Sequence, residues 1–127
     1  MRAFLLMTKA LADETRLRML VAMQQGELCI CQLIELMKLA PSTVSRHLEL
    51  LYQAGLIEKR KCGKWIYCRL ANSKASAAVK TALKWVFAEI GDVEIVQRDV
   101  TRLAKIKQIS PEDLCTPRKQ KRSSKSK

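Results

Sequence analysis

The sequence predicts a mainly α chain interrupted by one two-stranded β hairpin. Three observations carry this. Glycine and proline are scarce, 4 and 3 in 127 residues, which disfavours a turn-dense sandwich or barrel. Apolar residues make up 48% of the chain, and along most of it they recur every three or four positions. Only across residues 56–70 does the spacing switch to two. The length suits one domain with an extension.

Residues 3–11 read as a short apolar helix. Asp13 fits an N-cap for the next helix, with Glu14 and Thr15 in its first turn. Leu17, Leu20, Val21 and Met23 follow at helical spacing, and Gly26 suits the stop. A third helix is expected from about Cys29 to Lys38, with Leu33, Leu36 and Met37 inward. Leu39-Ala40-Pro41 breaks it. Pro41 suits the first position of a fourth helix, where its missing N–H costs nothing. That helix should run to about Ala54, with Gly55 as its stop. Val44, Leu48 and Leu51 form its buried stripe. Thr43, Arg46 and His47 share another face and point to solvent or a partner.

Leu56–Arg60 and Trp65–Leu70 read as strands, and Lys61-Cys62-Gly63-Lys64 as their turn, with Gly63 free to take positive φ. A long helix is expected from about Ser73 to Ile90. Its apolar positions, Val79, Leu83, Val86, Phe87 and Ile90, suit a core or a dimer face, and Trp85 suits the same surroundings. Gly91 punctuates, Val93–Ile109 reads as one more amphipathic helix, and Ser110-Pro111 breaks it. The expected organisation is a domain over 1–91, a helical extension over 92–116 that carries Cys115, and a tail over 117–127 with a disordered composition.

The charge points to a polyanion. There are 24 Lys+Arg against 12 Asp+Glu, a formal +12. The tail holds six cations and no acid, so residues 1–116 carry the remaining +6. Nucleic acid ranks ahead of an acidic membrane. No apolar stretch approaches the roughly 20 residues of a membrane span. Met1–Met7 opens like a signal peptide, but Thr8-Lys9 cuts it short, so a cytoplasmic protein is expected. Five cysteines, an odd number, argue against a disulfide scaffold and for thiols used as ligands, sensors or inert core. One His and no nucleophile–base pattern argue against an enzyme, and no small-molecule substrate is expected.

Two helices joined by a short turn and followed by a two-stranded ribbon make a winged helix-turn-helix. The second helix of such a pair enters the major groove. Ser42, Thr43, Ser45, Arg46 and His47 place hydroxyl, guanidinium and imidazole groups at its N-terminal end, where the helix dipole also favours phosphate. The ribbon adds Lys59, Arg60, Lys61 and Lys64 for phosphate or minor-groove contacts. A solvated polar face and a charged hairpin that guards a sheet edge are the plain alternative.

At these residues the chain resembles the ArsR/SmtB family of metal-responsive repressors. The resemblance rests on Glu27-Leu28-Cys29-Ile30-Cys31-Gln32-Leu33, Ser42-Thr43-Val44-Ser45-Arg46-His47-Leu48, Gly55-Leu56-Ile57 and Gly63-Lys64-Trp65-Ile66-Tyr67, and covers about residues 8–90. It implies a homodimer joined through the first and last core helices, bound to a two-fold symmetric operator on double-stranded DNA and released by inducer. The family's DNA contacts map onto Ser42, Thr43, Ser45, Arg46 and His47, and onto the wing around Lys61 and Lys64.

Cys29 and Cys31 are the sharpest chemical feature. Thiols at a helix start are expected to gain acidity, and the thiolate is the ligand form. As(III), Sb(III), Cd(II) and Pb(II) prefer sulfur. In an ideal helix residues i and i+2 point about 200° apart, so one ion can bridge them only if the first turn distorts. Arsenic sensors of the family often carry a third Cys three residues after the second, but that position is Ile34. A third thiol must then come from elsewhere, and Cys115 is the candidate; an unpaired tail thiol is the plain alternative, and water or an exogenous thiol can also complete the site. Cys62 is expected exposed at the wing tip, and Cys68 buried on a strand. The family's zinc and nickel site has no counterpart, because 73–90 holds no His and only one acid, Glu89. The cadmium/lead version lacks its N-terminal Cys, since none precedes Cys29. The expected function is repression relieved by As(III) or Sb(III). A cadmium/lead sensor, a thiol redox switch and a nonspecific DNA-packaging protein are the rivals.

Overall fold

The computed structural model describes residues 1–110 and 112–114. Along them run α1 Arg2–Leu11, α2 Glu14–Met23, β1 Leu28–Cys29, α3 Ile30–Met37, α4 Pro41–Gln53, β2 Ile57–Cys62, β3 Trp65–Leu70, α5 Ala77–Ile90 and α6 Glu94–Ile106. Asp13 caps α2 as its sequence position predicts. Its backbone is extended, and its side chain accepts from the Arg16 N–H at 3.0 Å. Lys38 ends α3 in the left-handed region at φ 57°, and Pro41 opens α4. Gly55 ends α4's turn at φ +78°, with Val79 Cγ2 3.7 Å from where a Cβ would sit.

The core lies where α2, α3 and α4 meet the sheet. Leu20, Leu33, Leu36, Val44, Leu48 and Leu51 are all at most 1% exposed. Each such side chain contributes about 1.5–3 kcal/mol on burial. Leu28, Leu56 and Cys68 extend the core under the sheet. α6 closes the outer side of α2 and α3 with Leu103 and Ile106. Asp99 of α6 accepts two bonds from Arg18 of α2 at 2.7 and 2.9 Å.

Three local expectations change. The sheet has three strands, in the order β1-β3-β2, all antiparallel. The extra strand, Leu28–Cys29, is two residues long, too short to show any period in sequence. The hairpin pairs out to Cys62↔Trp65, so its turn is Gly63-Lys64 alone, with Gly63 at φ 62°. α5 starts at Ala77 rather than near Ser73, because Ser76 caps it by accepting from the Val79 N–H at 3.2 Å. Cys115 and the basic tail lie outside the described residues. Among the described residues no helix is long and apolar enough to cross a membrane.

Candidate functional site

α3, its tight turn and α4 form the two-helix unit, and β2 and β3 form the hairpin beside it. Ser42, Ser45 and Arg46 are exposed along the first turns of α4, and Thr43 is half-buried. No side chain caps the start of α4, which leaves its first N–H groups directed outward as donors. His47 departs from its expected place on the open face. It is half-buried, and its Nδ1 lies 3.0 Å from Arg16 Nη1. A guanidinium has no acceptor, so the ring nitrogen accepts. Arg16 also donates to the Ala10 and Lys9 carbonyls at the end of α1, at 2.7 and 3.2 Å. His47 thus fastens α4 to the α1–α2 corner. Arg16 is the residue that sequence reasoning missed here, since its partners are remote or backbone.

The wing cations divide into two sets. Lys59 pairs with Glu49 at 2.8 Å and lies over the Tyr52 ring. Arg60 makes a two-pronged pair with Glu27 at 2.8 and 2.9 Å and lies over the Tyr67 ring. Arg60 holds the Glu27 carboxyl below its ordinary range, and Lys59 does the same for Glu49. Both cations are therefore turned onto the body of the fold. Lys61, Cys62 and Lys64 stand exposed at the tip. Lys64 lies over Trp65, which packs half-buried against the core.

The thiol corner differs from expectation in three ways. Cys29 is not part of the helix. It ends β1 and N-caps α3 with an extended backbone, φ −71° and ψ 146°. The 200° argument therefore does not apply: Cys29 leads into the helix and Cys31 is its second residue. Nor is the Cys29 thiol acidic. Burial pushes its pKa up, and the N–H groups of Cys31, Gln32 and Ile30 offset this only in part. Cys29 is 0% exposed, and desolvating a thiolate costs more than the first turn returns. A reciprocal capping box holds it, with the Gln32 N–H on its sulfur and its own N–H on Gln32 Oε1 at 2.8 Å.

Third, Cys31 was expected as a free ligand thiol, but it is 8% exposed and disulfide-bonded, while Cys29, Cys62 and Cys68 are free thiols. Cys68 is buried as expected, and that burial pushes its pKa up to about 11. Cys62 is exposed as expected. Among the described residues no group of three or more His, Cys, Asp or Glu comes together as a metal site. The expected third thiol, Cys115, is outside them.

A further face is apolar. Phe4 and Leu5 of α1 are each 56% exposed, and Trp85 of α5 is 62% exposed. Beside them lies a groove of about 420 Å³ lined by Leu11, Trp85, Val86 and Ile90. Trp85 is thus outside the core of the single chain.

Residues 13–59 match the model of the bacterial regulatory protein arsR family. The chain is 37% identical over 95 residues to the arsenical resistance operon repressor of Escherichia coli K12, covering 74% of this chain and 81% of that protein. It is 46% identical over 63 residues to the arsenic resistance transcriptional regulator ArsR1 of Pseudomonas putida, covering 49% of each, about half the length of that relative. In structure it is similar to the homodimeric winged helix-turn-helix DNA-binding domain Mb0332 of Mycobacterium bovis. The TM-score is 0.61 at 26% identity, over 73% of this chain and 82% of that one.

Proposed function

This chain belongs to the arsR family of bacterial regulatory proteins, and from that premise we propose that it is a homodimeric transcriptional repressor. It binds a two-fold symmetric operator through α4 and the wing tip, and acts in the cytoplasm. It leaves the operator when As(III) or Sb(III) is captured by Cys29, Cys31 and Cys115, with the disulfide at Cys31 reduced. Ser42, Thr43, Ser45 and Arg46 meet the major groove, while Lys61 and Lys64 meet the backbone beside it. His47 reaches the DNA only through its free ring edge, being held by Arg16. Phe4, Leu5 and Trp85 are the face that a second copy covers, which matches the dimeric state named for the M. bovis domain.

The observation that carries the sensing role is the position of Cys29. A thiol caps the first helix of the reading unit, so binding a soft ion there replaces the helix's own capping bonds. The chemistry favours the metalloid. In arsenous acid each As–S bond forms as a hydroxide leaves with the thiol proton as water. A thiol that stays protonated at neutral pH, as burial makes Cys29, is then a competent ligand. Cd(II) must instead release that proton to solvent.

The test titrates the DNA-bound full chain, kept reduced, with arsenite. Release is expected, and Cys29→Ser and Cys31→Ser should each abolish it, while Cys62→Ser and Cys68→Ser should not. Normal release by both of the first two variants would falsify thiolate capture. Cys115→Ser should also lose release; if it does not, the third ligand lies elsewhere. Release by Cd(II) at lower concentration than arsenite would turn the reading to a cadmium sensor. Release by peroxide without any ion would turn it to a redox switch. Equal affinity for random DNA would indicate packaging.

A further inference from the structure

We propose that Glu27 and Arg60 are positioning residues that couple the thiol corner to the wing, so that ligand capture at Cys29 reaches DNA through the β sheet as well as through α3. The inference rests on the reading of Cys29 as a ligand and deepens it.

The register places the parts. Cys29 faces Tyr67 across β1 and β3, and Tyr67 faces Arg60 across β3 and β2. Residues directly opposed in antiparallel strands put their side chains on one face of the sheet. Cys29, Tyr67 and Arg60 therefore form a single row across all three strands. The Arg60 guanidinium lies 4.9 Å from the Tyr67 ring centroid. Its Nε and Nη2 donate to Glu27 Oε2 and Oε1 at 2.9 and 2.8 Å. Glu27 stands two residues before Cys29 in the chain. The row thus closes on itself, from Cys29 to Tyr67 to Arg60 to Glu27 and back along the backbone to Cys29.

The closure matters because β1 is so short. Two residues supply few ladder bonds, and the same Cys29 that ends β1 also caps α3. Cys29 is 0% exposed, so its sulfur has little room to swing by side-chain rotation alone, and a pull on it is passed to a backbone laddered to the wing's central strand. The Glu27–Arg60 pair adds a charge-assisted tie at the other side of the row, with two parallel bonds in fixed geometry. Arg60 precedes Lys61, the exposed cation of the wing tip. An ordinary surface ion pair with the same exposure would change stability little and would not alter the response to ligand.

The experiment uses the full chain, kept reduced, and a duplex that the chain itself has selected from a random pool. The coupling is the ratio of DNA Kd with and without arsenite, and arsenite binding is followed separately by the ultraviolet absorption of the As–thiolate bonds. Glu27→Gln should still bind arsenite but lose at least about fivefold of the coupling ratio. The charge swap Glu27→Arg with Arg60→Glu should recover part of it. Arsenite should speed amide hydrogen exchange across residues 65–70 in the parent and not in Glu27→Gln. A Glu27→Gln ratio within about twofold of the parent, with arsenite bound, overturns the relay and leaves the proposed function standing. A parent chain that binds no arsenite overturns both.

Discussion

The two ends of α3 are held in opposite ways. At the C-terminal end, Arg102 donates to the carbonyls of Leu36 and Glu35 at 2.7 and 3.3 Å. Those carbonyls belong to the last turn, which lacks helical partners and favours a cation. Arg102 belongs to α6, and α6 is joined to α2 by the Arg18–Asp99 pair, with the Asp99 side chain 4% exposed. At the N-terminal end the cap is a buried thiol with a returning glutamine. A thiol is a weak hydrogen-bond partner but a strong soft-ion ligand. One end is therefore anchored by a partly buried cation, and the other by a soft thiol and a glutamine. In the proposed function, capture moves the start of α3 about a fixed end, and the turn into α4 begins at that fixed end.

Asp99→Ala should lower the unfolding free energy by about 3 kcal/mol in urea, because Arg18 is left partly buried without its partner. A loss near zero would show that α6 is not an anchor.

Alkali tests the thiol side. The Cys68 thiol faces Leu28 of β1 and ionises near 11 in the fold against an ordinary 9.0. Between those pH values the unfolded chain loses a proton that the folded chain keeps, so stability falls as pH rises. Cys68 alone should remove about 3 kcal/mol over that window, and Cys68→Ala should flatten the curve measured by urea unfolding at each pH. An equally steep fall in the variant would place the alkaline sensitivity elsewhere.

Arg102→Ala should cost about 1–2 kcal/mol through two uncapped carbonyls. Arsenite should still release DNA from it, as judged by fluorescence anisotropy. Cys29→Ser should have the smallest effect on stability, within about 1 kcal/mol, because a serine oxygen is itself a good N-cap. The same variant should lose inducer release entirely. Thermal melting beside the release assay separates the two, and a large fall in Tm would mean that the thiol corner is a structural joint like the other end.

Much of this was legible in the chain itself. Asp13, Pro41 and Gly55 set three boundaries through capping, ring geometry and positive φ, all of them local rules. The stripe of Val44, Leu48 and Leu51 is buried as its spacing predicts. The motif residues around Cys29 and Cys31 and along α4 also led to the right family. β1 was not legible, because a two-residue strand exists only by pairing with β3. The acidity expected of Cys29 was wrong for a related reason. The dipole is a local effect visible in sequence, whereas the burial that overrides it comes from packing against residues far along the chain. His47 shows the same limit, since its spacing put it on the open face and Arg16, 31 positions earlier, drew it inward.

Local patterns in the chain specify a mainly α winged helix-turn-helix, the break between its two helices, the spacing of Cys29 and Cys31, and the family. These follow from periodicity, capping and short motifs, which act over a few residues. Long-range packing alone settles that Cys29 joins a strand to a helix, that Glu27 and Arg60 close a row across the sheet, and that α6 anchors the far end of α3. Each of these is a contact between residues distant in the chain, and its energy depends on burial and geometry that no local pattern encodes.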